Sequence, residues 1–183
     1  MANPRRAVRH ARQLLADHHI TRFPVPVDVI ARRFAHVVEE VLDDDISGML
    51  VPLNPPVRGK RWAIVMNSTH PPQRQRFTIA HELGHLVLHG YTQPHADRTQ
   101  KIRFRSKAPT GANAGEETEA NRFAAELLMP EYLLEAVVAT LELPYVPDDS
   151  DALLENPELQ RLAKKAGVSA QALAFRLTAL ALL

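Results

Sequence analysis

With 183 residues, 45% of them hydrophobic and 23% charged, the chain has the composition of a globular protein with one core, or one domain with a small helical appendage. Its net charge of +1 gives no electrostatic case for a dedicated nucleic-acid binder or a membrane-surface protein; the absence of cysteine excludes disulfides and thiolate metal sites. The Arg-rich opening has no apolar run of the signal-peptide kind, and no segment reaches the roughly 18 apolar residues of a membrane span, so a cytoplasmic protein is expected.

In chain order, Val8, Ala11, Leu14 and Leu15 predict a helix over residues 4–18, broken by Phe23-Pro24-Val25-Pro26. A second, short helix is expected over 27–34, with Pro26 tolerated in its first turn. Three strands follow, at 36–42, 47–52 and 61–67, with Asp43–Asp45 and then Asn54-Pro55-Pro56 and Gly59 between them. Such short connections predict an antiparallel meander. A Pro-containing turn opens a long helix over 73–89, which Gly90 stops. Residues 91–115 read as loop with an edge strand at 101–105, and 116–129 as a helix, after which Pro130 begins another through about residue 141. The class is α+β: a small antiparallel sheet packed on the 73–89 helix. The expected division is a domain over 1–142, a linker over 143–156, and a helical tail over 157–183 with a turn at Gly167-Val168-Ser169.

The 73–89 helix carries His81-Glu82-Leu83-Gly84-His85. Positions four apart share a helix face, so His81 and His85 can direct two imidazoles at one ion. A catalytic zinc needs three protein ligands and an open position, and it lowers the pKa of water there to about 7, which lets Glu82 take the proton. With nine His in the chain, the number of chance His-Glu-x-x-His matches expected is about 0.03. The motif also falls within a strong helical pattern seated by Ile79, Leu83, Leu86 and Val87. Gly84 costs a helix interior roughly 1 kcal/mol relative to Ala, which points to a close approach of another backbone.

Leu88 and Tyr91 stand where a metzincin would have Gly and a third His, so the third ligand is expected to be a carboxylate from the next helix. Glu119 shares a face with Arg122 and Glu126, which reads as a solvated stripe, and Glu116 can simply favour the helix dipole. Glu117 aligns with Ala120, Asn121 and Ala124, residues that permit close packing, and Asn121 is placed to orient a ligand. Glu117 is therefore favoured, with Glu119 the alternative.

The stretches Arg74–His85 and Glu117–Pro130 resemble the ImmA/IrrE family of metallopeptidases, as do Pro26-Val27-Asp28 and Ser47-Gly48. The resemblance covers most of residues 5–135. It implies a zincin-like fold and a gluzincin-like site, with His81, His85 and Glu117 holding Zn2+ and Glu82 as general base. It also implies a protein substrate, a helix-turn-helix transcriptional repressor cleaved at a specific site. The alternative is a regulatory DNA- or repressor-binding protein that uses the fold as a scaffold.

Other features point less sharply to chemistry. His89, Tyr91 and Tyr132 can be oxyanion donors, but a helix-terminal His and packed tyrosines explain them as well. Arg74, Arg76, Arg103 and Arg105 read as surface cations. The tail from Leu162 to Leu177 has helix-turn-helix spacing, yet its second helix offers only Gln171 and Arg176 for DNA, so a helical hairpin on the core or a repressor-recognising surface is expected.

Overall fold

The computed structural model describes residues 2–90, 95–98, 114–140 and 150–183. Its helices are α1 (Pro4–Asp17), α2 (Val27–Ala31), α3 (Pro72–His89), α4 (Ala114–Leu128), α5 (Glu131–Val138), α6 (Ser150–Glu155), α7 (Pro157–Ala166) and α8 (Ala170–Ala179). Its strands are β1 (His36–Glu40), β2 (Ile46–Val57), β3 (Lys60–Asn67) and β4 (His95–Arg98). The mixed α+β class is as expected, but β4 lies in a stretch read as loop and α6 in one read as linker. The expected strand at 101–105 falls outside the described residues. No described helix is long and apolar enough to cross a membrane.

Local chemistry explains the helix ends. The Asn3 side chain accepts from the Arg6 amide at 3.0 Å and Pro4 occupies the first turn of α1, which buries Ala7, Ala11 and Leu15 at four-residue intervals. Gly90, with φ of 61°, ends α3 in the left-handed region, where glycine carries no Cβ penalty. Asn156 and Ser169 cap α7 and α8.

The antiparallel meander is corrected by the sheet order, β1-β3-β2-β4, in which β1 pairs with β3 in parallel and the β2–β3 and β2–β4 pairs are antiparallel. β3 is thus inserted between β1 and β2. Crossing one strand requires a span of about 9.6 Å, which five connecting residues reach easily. The connector is stitched over the end of β3 by the buried Asn67. Its amide nitrogen donates to the carbonyls of Leu42, Asp43 and Ile46 at 3.3, 3.2 and 3.0 Å. One side chain thus reaches three carbonyls of the connector, whose Asp43 carbonyl also accepts from the Ile46 amide at 2.8 Å.

α3 packs over β2 and β3, and α4 lies between α3 and α1. One apolar cluster joins Leu15, Ile30, Leu50, Ile64, Leu83, Phe123, Leu127 and, from the tail, Leu159, Leu173 and Leu177. Two arginines anchor the tail. Arg76 of α3 donates through Nε to the Gly167 carbonyl at 3.1 Å and through Nη2 to the Val25 carbonyl at 2.8 Å, and its burial lowers its pKa. Arg176 of α8 is buried; it donates to the Met129 carbonyl at 3.2 Å and to Glu126 Oε2. Arg76 is thus an internal tie, not a surface cation, and Arg74 hydrogen-bonds Ser47 Oγ at 2.9 Å. The basic side chain that DNA reading by α8 would need faces the core.

The solvated stripe expected on α4 is also corrected. Glu119 and Glu126 are buried at 6% and 1% exposure, because α1 and α8 bring cations to that face. Glu126 Oε1 accepts from Arg12 Nε at 2.8 Å while its other oxygen meets Arg176; the hydrogen bond to Glu126 keeps the Arg12 guanidinium more firmly protonated. Glu119 Oε1 accepts from the Asn3 amide at 2.6 Å. Arg176→Ala should lower stability by about 3 kcal/mol, since it strips a partner from a buried carboxylate. Combining Arg176→Met with Glu126→Leu should recover most of the loss, and urea unfolding followed by circular dichroism measures both.

Candidate metal centre

His81 and His85 lie one turn apart on α3 and are 2% and 0% exposed, with ring centroids 4.6 Å apart in an edge-on arrangement. Phe77 stacks on the outer side of His81 at 6.1 Å. Glu117, in the first turn of α4, completes the group. His85 Nε2 lies 3.0 Å from His81 Nε2, Glu117 Oε2 is 3.4 Å from His81 Nε2, and Glu117 Oε1 is 3.2 Å from His85 Nε2. Among the described residues these three form the one cluster able to hold a metal ion, with a donor atom from each inside 4.8 Å.

The donor set fits a divalent cation. Ligand bonds of about 2.0–2.1 Å in tetrahedral array demand donor separations of about 3.3 Å, close to those between the three side chains. His81 Nδ1 is 3.1 Å from Asn121 Oδ1. A carboxamide oxygen only accepts, so the proton sits on Nδ1 and the Nε2 lone pair faces the cluster, the tautomer a metal requires. Nitrogen and oxygen donors without sulfur suit zinc and other first-row cations.

Close contact between the two helices delivers Glu117. A Cβ at Gly84 would stand 3.0 Å from Phe123 Cδ1 and 3.3 Å from Ala120 Cα, so the glycine gives α4 its approach to α3. Ala120 and Ala124 keep the facing side thin and buried. Glu82 follows His81 on the same turn and is wholly buried.

The remaining candidates lie as follows. Glu119, the alternative ligand, points to α1: besides the Asn3 amide, it has Arg6 Nη1 and His89 Nδ1 at 4.0 Å. His89 continues the stripe beside His85, with centroids 5.5 Å apart. Tyr132 donates its hydroxyl to the Ile20 carbonyl at 2.6 Å, and burial raises its pKa. Tyr91, Arg103 and Arg105 fall outside the described residues. Sequence reasoning missed the inward role of Glu119 and Glu126; the available signal was two acids seven residues apart on a helix with few other exposed polar positions.

Residues 25–178 match the model of the IrrE N-terminal-like domain. The chain belongs to this peptidase family. The matched residues run from α2 through most of α8 and leave α1 outside. A curated relative, the Radiation response metalloprotease IrrE of Deinococcus radiodurans, is 35% identical over 123 residues, which is 63% of this chain and 30% of that protein. The matched stretch thus spans less than a third of the relative.

Replacing Asn121 by Ala should weaken zinc binding about tenfold, as expected for a residue that orients a ligand. Glu117→Ala should cost considerably more than that. Glu119→Ala should instead lower stability by about 1–3 kcal/mol through loss of buried hydrogen-bond partners. Competition with a chromophoric chelator, alongside thermal unfolding, separates the three; a larger zinc defect in Glu119→Ala than in Glu117→Ala would move the third ligand.

Proposed function

We propose that this protein is a zinc-dependent endopeptidase that holds Zn2+ with His81, His85 and Glu117 and uses Glu82 as general base. The observation that carries this reading is the convergence of two buried imidazoles and a carboxylate, with the wholly buried Glu82 following His81 on the same helix. Membership of the peptidase family supports it.

A bound divalent cation supplies Lewis acidity, polarising a substrate carbonyl and making water easier to deprotonate. The chain does the rest. His81 and His85 present neutral nitrogen lone pairs, and Asn121 holds the His81 ring in that tautomer. Glu117 adds negative charge, offsetting part of the charge of the cation. The Glu82 carboxylate takes a proton from the attacking water and can return it to the departing amine, leaving the acid ionised for the next turnover. Burial of Glu82 keeps bulk water from competing for that proton.

The substrate we propose is a helix-turn-helix transcriptional repressor cut at one site. The resemblance of Arg74–His85 and Glu117–Pro130 to the ImmA/IrrE family supports this class, and the relative is named as a radiation response metalloprotease. The zincin-like architecture, with the tail as a helix-turn-helix-like hairpin docked on the core, belongs to the same reading. Its two tail anchors are the Gly167 turn on Arg76 and Arg176 on Glu126.

Incubation of the zinc-loaded protein with purified helix-turn-helix repressors of the source genome should give discrete fragments from one of them. Glu82→Gln should slow cleavage by about 100-fold or more while zinc stoichiometry stays at one per chain. Mass spectrometry of the fragments and metal analysis of the same preparation check both, and full activity in Glu82→Gln would remove the base assignment.

A further inference from the structure

β1 is an edge of the sheet: it pairs with β3 on one side, and among the described residues no strand lies on the other. The Ser68 amide donates to the Glu40 carbonyl at 2.8 Å, so His36, Val38 and Glu40 turn their backbone groups toward β3. Val37 and Glu39 turn theirs outward. Among the described residues the Val37 carbonyl meets the Arg32 guanidinium at a long 3.4 Å, and the N–H and C=O of Glu39 have no protein partner. Such an edge is a template for another strand.

The net charge of +1 conceals a segregation of charge along this edge. Arg32 and Arg33 stand just before β1, with the Lys60 ammonium donating to the Arg33 carbonyl beside them. Glu39 and Glu40 end the strand, and Asp43 follows. All but Lys60 are exposed, and among the described residues none of them enters an ion pair. Each end also carries an exposed apolar side chain, Phe34 before the strand and Val41 after it.

A strip whose charge inverts from end to end is complementary to itself across a two-fold axis, which sets the start of one strand beside the end of the other. A uniformly basic or acidic peptide would match one end and be repelled at the other. Parallel addition of a second copy would set arginines on arginines and acids on acids. We propose that two copies of this chain pair antiparallel through the free edges of β1, joining their sheets into one. With the axis at Val38, Val37 faces the partner's Glu39 and Glu39 faces the partner's Val37, and each pair exchanges both backbone hydrogen bonds. On the outer face, the half-buried Val38 packs against its own copy and His36 lies opposite the partner's Glu40. Arg32 and Arg33 then lie toward the partner's acidic end. A slip of two residues in one sense sets Glu39 on its own copy, and in the other it shortens the paired run. The interface is independent of the peptidase reading.

Sedimentation velocity of the full chain at roughly 50 mM salt, up to about 200 μM, should show a mass rising from one chain to two, with a dissociation constant on the order of 10 μM for so short an edge. The association should weaken as salt screens the paired ends. Arg32→Glu with Arg33→Glu makes both ends acidic, and Glu39→Lys with Glu40→Lys makes both basic. Each double variant should self-associate about tenfold more weakly or worse, while an equimolar mixture of the two recovers the dimer as a heterodimer, which also shows that both are folded. Glu39→Pro removes only an outward N–H, so it should abolish pairing with the circular dichroism spectrum unchanged. The proposal is overturned by the mass of one chain throughout, by a mass that climbs past two, or by undiminished association of either double variant or of Glu39→Pro. A mixture that associates no better than its components overturns it as well.

Discussion

The contact of Gly84 with Ala120 and Phe123 is the constraint on which the centre of this molecule depends. Two histidines on one helix define a direction but not a site; a third donor must arrive from elsewhere and stop within about 3.3 Å of both. Ordinary helix pairs keep their axes 8–10 Å apart, with side chains at the contact setting the value. Removing the side chain at position 84, and trimming those at 120 and 124 to methyl groups, lets α4 come close enough for a Glu, with its two methylenes, to reach both imidazoles. The glycine's cost to α3 is about 1 kcal/mol. Packing of Phe123 and Leu127, both fully buried, offsets it.

A smooth interface of small residues sets distance better than it sets rotation or register. The far side of α4 supplies what the near side lacks. Glu119 and Glu126 are held by groups from both ends of the chain: the Asn3 amide and Arg12 near the N-terminus, and Arg176 in the last helix. Such buried ion pairs contribute little net stability, because desolvation opposes the Coulomb gain, but their geometry is directional. α4 is thus clamped between an apolar face that fixes its distance from α3 and a polar face that fixes how it is turned. Glu117 and Asn121 project between the two, onto the histidines.

How much of this was legible in the sequence follows from how local each determinant is. The His81–Glu82–His85 spacing, the preference for Glu117 and Asn121 and the close approach at Gly84 all follow from helical periodicity within two short segments; the structure groups His81, His85 and Glu117, sets Asn121 against His81 and packs α4 on Gly84. Glu119 and Glu126 read as solvated in the sequence because their partners lie over a hundred residues upstream and fifty downstream, and no period within α4 announces them. Arg76 reads as a surface cation for the same reason: its acceptors are the distant backbone carbonyls of Val25 and Gly167.

The sheet repeats this lesson on a larger scale. Strand positions were readable from alternation and turn residues, but strand order was not, because one buried amide at Asn67 allows a five-residue connector to step across β3 rather than turn back beside it. That step has an electrostatic consequence. β1 and β3 run the same way in either topology, with the cations that precede both at one end of the sheet and the acids that follow β1 at the other, but the step seats β1 directly beside β3. In a meander β2 would stand between β1 and β3, separating Arg33 from Lys60 by a further strand spacing of about 4.8 Å. The topology that Asn67 stitches at one end of the sheet therefore also brings the positive charge together at the other.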